Sequence, residues 1–132
     1  MAFQLNNSSI TLFVLLILSL YSSASAQEVA GTATYTVPPY TPSVCYGNQD
    51  YGEMVALASP EIYNGGAGCG QYYIVGCVGG MDACRGDWTV VVMVTGVCKS
   101  EPCQSLALSY KAFNDIAEPQ TGYINISYKL YE

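Results

Sequence analysis

The chain has 132 residues, and its ten acidic and four basic side chains give a formal net charge of −6 at pH 7. An acidic surface repels nucleic acid phosphates, anionic lipid headgroups and polyanionic glycans, so none of these is expected as a partner. The sequence contains no His, which excludes the Ser-His-Asp and Cys-His catalytic arrangements. Neutral glycans and proteins remain as partners.

The first 26 residues have the pattern of a secretory signal peptide. Residues 10–20 are almost wholly apolar, and Ala24-Ser25-Ala26 follows them as a small-x-small cleavage signal. A membrane span needs about 20 apolar residues, so this run is too short to cross a bilayer. We therefore expect cleavage after Ala26, no membrane insertion, and a single secreted domain over residues 27–132.

Strand signals dominate the remaining chain, because Thr, Val, Ile and Tyr cluster between Gly, Pro and Asn. The run WTVVVMVT is continuously apolar or β-branched, which indicates a strand covered on both faces. In the run GYINISYKLY large apolar residues alternate with polar ones, which indicates a half-exposed strand. The predicted strands are residues 32–36, 54–58, 71–78, 88–95 and 122–131.

Two short helices are also predicted. Ser59 can cap the first, Pro60 suits its first position, and the glycines that follow at 65 and 66 end it. Ser109 can cap the second, which should end near Ala117. Leu108 and Phe113 have the spacing of a hydrophobic staple around this second cap.

Six cysteines lie in the expected secreted domain. An even number of cysteines in a secreted chain indicates disulfides. A zinc site is excluded because no CxxC pair occurs and no His is present. We expect no metal or cofactor, and spacing alone leaves about 15 possible pairings. The cysteines are Cys45, Cys69, Cys77, Cys84, Cys98 and Cys103.

Acidic side chains are the candidates for hydrolytic chemistry. Cleavage of a glycoside by paired carboxylates needs two acids about 5 to 9.5 Å apart across a cleft. Each of these acids could equally be an ordinary solvated surface residue. The strongest candidates are Asp50 and Glu53, which lie in one predicted loop. The candidate acids are Asp50, Glu53, Glu61, Asp82, Asp87, Glu101, Asp115 and Glu118.

Tyrosines and a sequon mark two further features. Four tyrosines flank Gly-rich loops, where they would form either a stacking platform for sugar rings or ordinary cross-strand pairs. Asn125-Ile126-Ser127 is an N-glycosylation sequon, and the alternation of the last strand places Asn125 on its exposed face. The four tyrosines are Tyr46, Tyr51, Tyr72 and Tyr73.

Three stretches carry a family resemblance: GTATYT from Gly31, CYGNQDYGEMVALASPEIYNGGAGCG from Cys45, and LSYKAFNDIAEPQTGYINISY from Leu108. They resemble the endoglucanase-45-like domain proteins of plants, which include the plant natriuretic peptides and are related to the first domain of expansins. The resemblance implies a disulfide-stabilised, six-stranded double-psi β-barrel with one or two short helices. It also implies pairing of neighbouring cysteines: Cys45 with Cys69, Cys77 with Cys84, and Cys98 with Cys103.

Two acids that the resemblance leads us to expect are missing. Relatives usually carry an Asp directly before the Leu-Ser that opens the second helix, and this position is Ala107 here. They commonly carry a second acid two residues before the fifth cysteine, and this position is Gly96. Because a glycosidase needs a proton donor, this departure from the family pattern leads us to expect a protein that is not an enzyme.

The resemblance implies an apoplastic signalling protein in water and solute homeostasis, with a plasma-membrane receptor as partner. We expect the protein to be a monomer. Its active segment matches roughly residues 45–73, so we predict signalling residues there: Asn48, Gln49, Asp50, Tyr51 and Glu53. The alternative is a non-catalytic module that binds a neutral cell-wall polysaccharide through Tyr72 and Tyr73. A residual lytic enzyme that works from Asp50, Asp82 or Asp87 is the third hypothesis.

Overall fold

The computed structural model describes residues 26–79, 82–99 and 103–132. Residues 1–25 of the expected signal peptide and the candidate acid Glu101 lie outside the described residues. In the part of the chain that is described, no helix has the length and apolar character that crossing a membrane requires.

Six strands close into a barrel in the order β1-β5-β2-β4-β3-β6. Strand β1 pairs in parallel with β5, and β2 pairs in parallel with β4, whereas the other four pairings are antiparallel. The barrel confirms the fold class that the resemblance implied. The strands are β1 (Val29–Thr36), β2 (Val55–Ala58), β3 (Tyr72–Gly79), β4 (Thr89–Val97), β5 (Leu106–Ser109) and β6 (Ile124–Leu130).

Two helices of the structure match the predicted caps. Helix α1 (Pro60–Tyr63) continues into a 3-10 turn at Asn64–Gly66, and helix α2 (Tyr110–Ile116) directly follows β5. The Ser59 hydroxyl accepts a hydrogen bond from the N–H of Ile62, and the Ser109 hydroxyl accepts one from the N–H of Ala112. Both caps satisfy amides that a helix start leaves without partners.

The five predicted strands are confirmed with boundaries that differ by one to three residues, and one strand was missed. Strand β4 begins at Thr89, so its predicted inclusion of Trp88 was wrong; this side chain is 70% exposed. Strand β5 was not predicted as a strand at all. It has four residues, all buried, and runs directly into α2. A strand without exposed residues has no alternation by which to recognise it.

The core fills the barrel and the space beneath α2. Leu106 and Leu108 point inward from β5, and Phe113 and Ile116 close the core from α2, all fully buried. The buried Leu108 and Phe113 flank the Ser109 cap as the staple predicts. Helix α2 is therefore fixed to the barrel by apolar contact on both sides of its first turn.

The three disulfides pair as the resemblance implied. The Cα atoms are 5.6 Å apart in Cys45–Cys69, 5.5 Å apart in Cys77–Cys84, and 6.1 Å apart in Cys98–Cys103. The first closes the longest segment, with a sequence separation of 24. It ties the loop before β2 to the segment before β3, and it thereby fixes the loop that carries the predicted signalling residues.

Candidate functional site

The two positions without the expected acids face each other across one strand. In the register of the sheet, Leu57 on β2 pairs with Ala107 on β5 and with Gly96 on β4. Thr34 on β1 pairs with Ala107 on its other side. Paired residues point to the same side of a sheet, so these four form one row on the outer face, which we call the central row.

Apolar atoms occupy the space where a side chain at Gly96 would lie. A Cβ placed on Gly96 would be 3.0 Å from Leu57 Cδ2 and 3.5 Å from Val44 Cβ. Ala107 is only 4% exposed. The central row therefore has neither a carboxylate nor an open place for one at its Gly96 end.

A cavity of about 220 Å³ lies beside the central row, and Leu57 belongs to both. We call it the groove. Its described lining contains no acidic residue. The side chains that shape it are mostly apolar or hydroxylated, and they include Thr36, Tyr40, Val44, Leu57, Thr95 and Val97. Such a groove offers a neutral ligand apolar surface and hydroxyl groups, with no charge.

Tyr40 forms a fixed wall of the groove. Its hydroxyl donates a hydrogen bond to the Thr36 carbonyl oxygen at 3.1 Å and accepts one from the Tyr110 N–H at 3.0 Å. These bonds join the end of β1, the Pro-rich loop and the first turn of α2. Tyr40 was not among the predicted site residues, and its position between prolines in a stiff loop was the available signal.

Residues 45–53 form a loop next to the groove, and internal bonds hold it in shape. The Cys45 N–H donates to the Thr95 carbonyl oxygen at 2.9 Å. The rings of Tyr46 and Tyr51 pack with their centroids 4.6 Å apart. The Asp50 carboxylate accepts a hydrogen bond from the Gly52 N–H at 2.7 Å. The loop is thus a shaped surface on a rigid base.

The predicted signalling residues all lie on the outer surface of this loop. The side chain of Tyr51 remains 43% exposed despite its contact with Tyr46. A second, shallower cavity of about 230 Å³ includes Asp50 and Glu53 and shares Tyr40 with the groove. The loop and the groove therefore form one continuous surface. The exposed residues are Asn48, Gln49, Asp50, Tyr51 and Glu53.

The structure separates the two tyrosines that were predicted as a stacking pair. Tyr72 is 47% exposed, whereas Tyr73 packs against the core and against the ring of Tyr128 at a centroid distance of 5.8 Å. Burial raises the pKa of the Tyr73 hydroxyl, and the neighbouring Tyr128 raises this pKa further. Of these two tyrosines, Tyr72 alone is exposed enough to offer a ring face to a ligand.

The remaining acids are dispersed and engaged elsewhere. Asp115 forms an ion pair with Lys111 at 3.5 Å, and the Glu118 carboxylate binds the Arg85 guanidinium at 2.6 Å. Glu61 is exposed in the first turn of α1. Within residues 26–79, 82–99 and 103–132, no group of three or more potential metal ligands occurs.

Asp82 and Asp87, two further candidate acids, are both exposed. Asp82 occupies a turn with a left-handed backbone, φ 57°. Asp87 lies beside Trp88, lining a cavity formed mainly by β3, β4 and β6. Neither lines the groove.

Comparison with solved structures defines the class of this barrel. Apo Clavibacter michiganensis expansin matches with a TM-score of 0.62 at 24% identity, over 80% of this chain and 51% of that chain. A mutant of that expansin in complex with cellohexaose matches with a TM-score of 0.65 at 25% identity and the same coverage. The fold is therefore a double-psi β-barrel of the kind found in expansins.

Sequence relatives assign the family. "EG45-like domain containing protein" of Citrus jambhiri is 38% identical, covering 80% of this chain and 84% of that protein. "EG45-like domain containing protein 2" of Arabidopsis thaliana is 36% identical, covering 87% of this chain and 90% of that protein. The chain belongs to the family of EG45-like domain containing proteins.

Two other matches are to a family model and to a longer protein that contains a similar domain. The family model described as "Lytic transglycolase" matches residues 55–128. Expansin-B4 of Arabidopsis thaliana is 31% identical over 91% of this chain and 55% of that protein. The chain thus spans about half the length of that expansin.

Proposed function

We propose that this protein is a secreted, non-enzymatic signalling protein of the natriuretic-peptide type, which acts in the apoplast on water and solute homeostasis. The observation that carries the proposal is the central row, in which Ala107 and Gly96 flank Leu57 without a carboxylate. The partner is a receptor at the plasma membrane, and the loop of residues 45–53 is the surface that meets it.

The chemistry of glycan cleavage supports a non-enzymatic role. A general acid contributes about 10² to 10⁴-fold to such a reaction by protonating the leaving group. The described lining of the groove has no acid, and the atoms of Leu57 and Val44 occupy the place beside Gly96. We therefore do not propose lytic transglycosylase activity for this chain, although the family model that matches residues 55–128 is described as "Lytic transglycolase".

The 45–53 loop has the properties that a receptor contact needs. Its polar side chains are exposed, and the Cys45–Cys69 disulfide and the Tyr46–Tyr51 contact hold its backbone. A loop that is ordered before binding loses less conformational entropy when it binds. Secretion is supported by the signal-peptide pattern and by disulfides, which persist in oxidising compartments.

A protoplast swelling assay with purified residues 27–132 tests this function. We expect the protein to change protoplast volume, and the double variant Asp50→Asn, Glu53→Gln to lose most of that response. Asn at position 50 keeps an oxygen acceptor for the Gly52 N–H, so the variant removes charge and keeps the turn. Glu61→Gln removes one exposed charge from α1 and serves as the control. The absence of any volume response to the wild-type protein would refute the proposal.

Binding of a neutral cell-wall polysaccharide is the second candidate function. It is favoured by the uncharged groove and by the relative, a mutant expansin, that was solved in complex with cellohexaose. The test is retention on insoluble glucan or xylan, with Leu57→Ala in the groove expected to weaken it. Weaker retention of Tyr72→Ala would extend the binding surface to this exposed tyrosine, which does not line the groove. Equal elution with and without polysaccharide excludes this candidate. Release of reducing sugar by the same preparation would instead indicate an enzyme.

A further inference from the structure

The only tryptophan of the chain lies on the outer face of the barrel, away from the groove. Trp88 is 70% exposed and lines a depression of about 300 Å³ formed mainly by β3, β4 and β6. We call it the Trp88 depression. Its lining includes the side chains of Val78, Asp87, Trp88, Ser127 and Lys129. Covering this large aromatic surface with a ligand would remove apolar area from water, which is favourable.

Glycines leave the floor of this depression open between β6 and β4. Gly76 on β3 pairs with Ser127 on β6 and with Thr89 on β4, so β3 itself places no side chain between those two strands there. The Thr89 methyl group borders this space, 3.3 Å from the place of a Cβ at Gly76. Adjacent strands are about 4.8 Å apart, so the backbones of β6 and β4 lie about 10 Å apart across a shallow trough. We expect a sugar ring to lie flat on its glycine floor, between Ser127 and Thr89.

The sequon opens onto this trough. Asn125 and Ser127 are two residues apart on β6 and therefore face the same outer side, and Asn125 is exposed. Gly79 pairs with Asn125, and a Cβ placed on Gly79 would be 4.0 Å from Asn125 Nδ2. The amide nitrogen that would carry a glycan thus lies beside the glycine floor, at the end of the trough.

We propose that Asn125 carries an N-linked glycan whose first N-acetylglucosamine lies in the trough and covers Trp88. The proposal rests on the secretion that the proposed function requires. In the covalent step, Asn125 Nδ2 attacks the anomeric carbon of a lipid-diphosphate-linked oligosaccharide. The C–N bond forms, the diphosphate leaves with the electron pair of its C–O bond, and the nitrogen loses one proton.

The composition of the depression matches the two sides of this sugar. A pyranose has an apolar C–H face, which stacks on an aromatic ring, and a polar edge, which needs hydrogen-bond partners. Trp88 supplies the ring, which is 70% exposed. Asp87 and Lys129 supply charged groups at the edge of the depression.

Tryptophan fluorescence tests the proposal directly, because Trp88 is the sole tryptophan. The full chain is produced in cells that add high-mannose glycans, and mass spectrometry gives the occupancy of Asn125 in the secreted protein. We expect occupancy, a blue-shifted emission, and acrylamide quenching about twofold weaker than in Asn125→Gln, because the sugar shields the indole. Asn48→Gln changes an exposed amide outside both the sequon and the depression, and should behave as the wild type.

Trimming with an endoglycosidase that leaves one N-acetylglucosamine provides a second measurement on the unmutated chain. The weak quenching should persist after trimming, since the first sugar makes the contact. An unmodified Asn125, or equal quenching with and without the glycan, overturns the proposal while secretion stands. Retention of the chain inside the cell contradicts secretion, and with it both this inference and the proposed function.

Discussion

Leu57 fills the space beside Gly96, and this contact decides what the groove can do. Its Cδ2 atom lies 3.0 Å from the place of a Cβ at position 96. Position 96 is one of the two at which the resemblance leads us to expect an acid, and the other, Ala107, pairs with Leu57 from the opposite side. At position 96 the acid is therefore not simply absent, because the side chains of Leu57 and Val44 occupy the space beside Gly96.

Gly96→Asp should destabilise the fold by about 2 kcal/mol, since overpacking a tight site typically costs about 1 to 3 kcal/mol. Gly96 does not have a positive φ, so the effect reports space and not backbone strain. Urea unfolding followed by circular dichroism measures it. Gly96→Ala is the matched control and should cost less, because it adds the Cβ without a carboxylate, and its tightest contact is the flexible end of Leu57.

The double variant Gly96→Asp, Leu57→Ala identifies the cause of that destabilisation. If Leu57 occupies the space, its truncation should recover part of the stability, so that the two changes are not additive. Strict additivity of the two free energies would show that Leu57 is not the obstacle. The same variants in a reducing-sugar assay ask whether an acid at this place restores hydrolysis.

Tyr40→Phe should lower the free energy of unfolding by about 1 kcal/mol, the usual net contribution of a hydrogen bond. The lost hydroxyl donates to the Thr36 carbonyl oxygen and accepts from the Tyr110 N–H. Urea unfolding measures the loss, and hydrogen exchange at the Tyr110 amide should accelerate. The exposed Tyr123 provides the control, Tyr123→Phe. Unchanged exchange at Tyr110 in the Tyr40 variant would contradict the assigned bond.

The fold was predictable from the sequence where local patterns act on their own. Alternation marked β6, and the residue types at Ser59 and Ser109 marked both helix starts. Strand β5 was not predictable in this way, because a short strand buried on both faces carries no period. Its place between β1 and β2 depends on pairing with residues far away in the chain.

The sequence predicted which residues belong to the candidate site, but not how they are arranged in space. The resemblance pointed to Ala107 and Gly96, but only the register of three strands places them on either side of Leu57. Tyr72 and Tyr73 could have been separated earlier, since consecutive strand residues face opposite sides. Val44 lines the groove because the next residue, Cys45, donates a backbone hydrogen bond to the Thr95 carbonyl oxygen. That bond joins residues far apart in the chain, so local sequence did not predict it.

Ser109→Ala should cost about 1 to 2 kcal/mol, toward the upper end of the range for a lost N-cap. The hydroxyl is fully buried and accepts from the Ala112 N–H at 3.2 Å, so its removal leaves a buried amide without that partner. Ser59→Ala is the comparison, with a longer bond of 3.4 Å at a helix of four residues. An equal or larger loss in the Ser59 variant would contradict this ranking.

Tyr73 makes stability depend on pH in the alkaline range. Burial, and then the neighbouring Tyr128, raise the pKa of Tyr73 above its ordinary value of 10.0. The folded state therefore holds this proton more tightly than the unfolded state, so the contribution is intact below pH 10 and falls as pH rises through the raised pKa. Unfolding midpoints in urea at pH 8 and pH 11 should differ less in Tyr73→Phe than in the wild type. Tyr131→Phe, at an exposed position, should keep the wild-type difference. The same alkaline loss in Tyr73→Phe would assign the effect to other tyrosines.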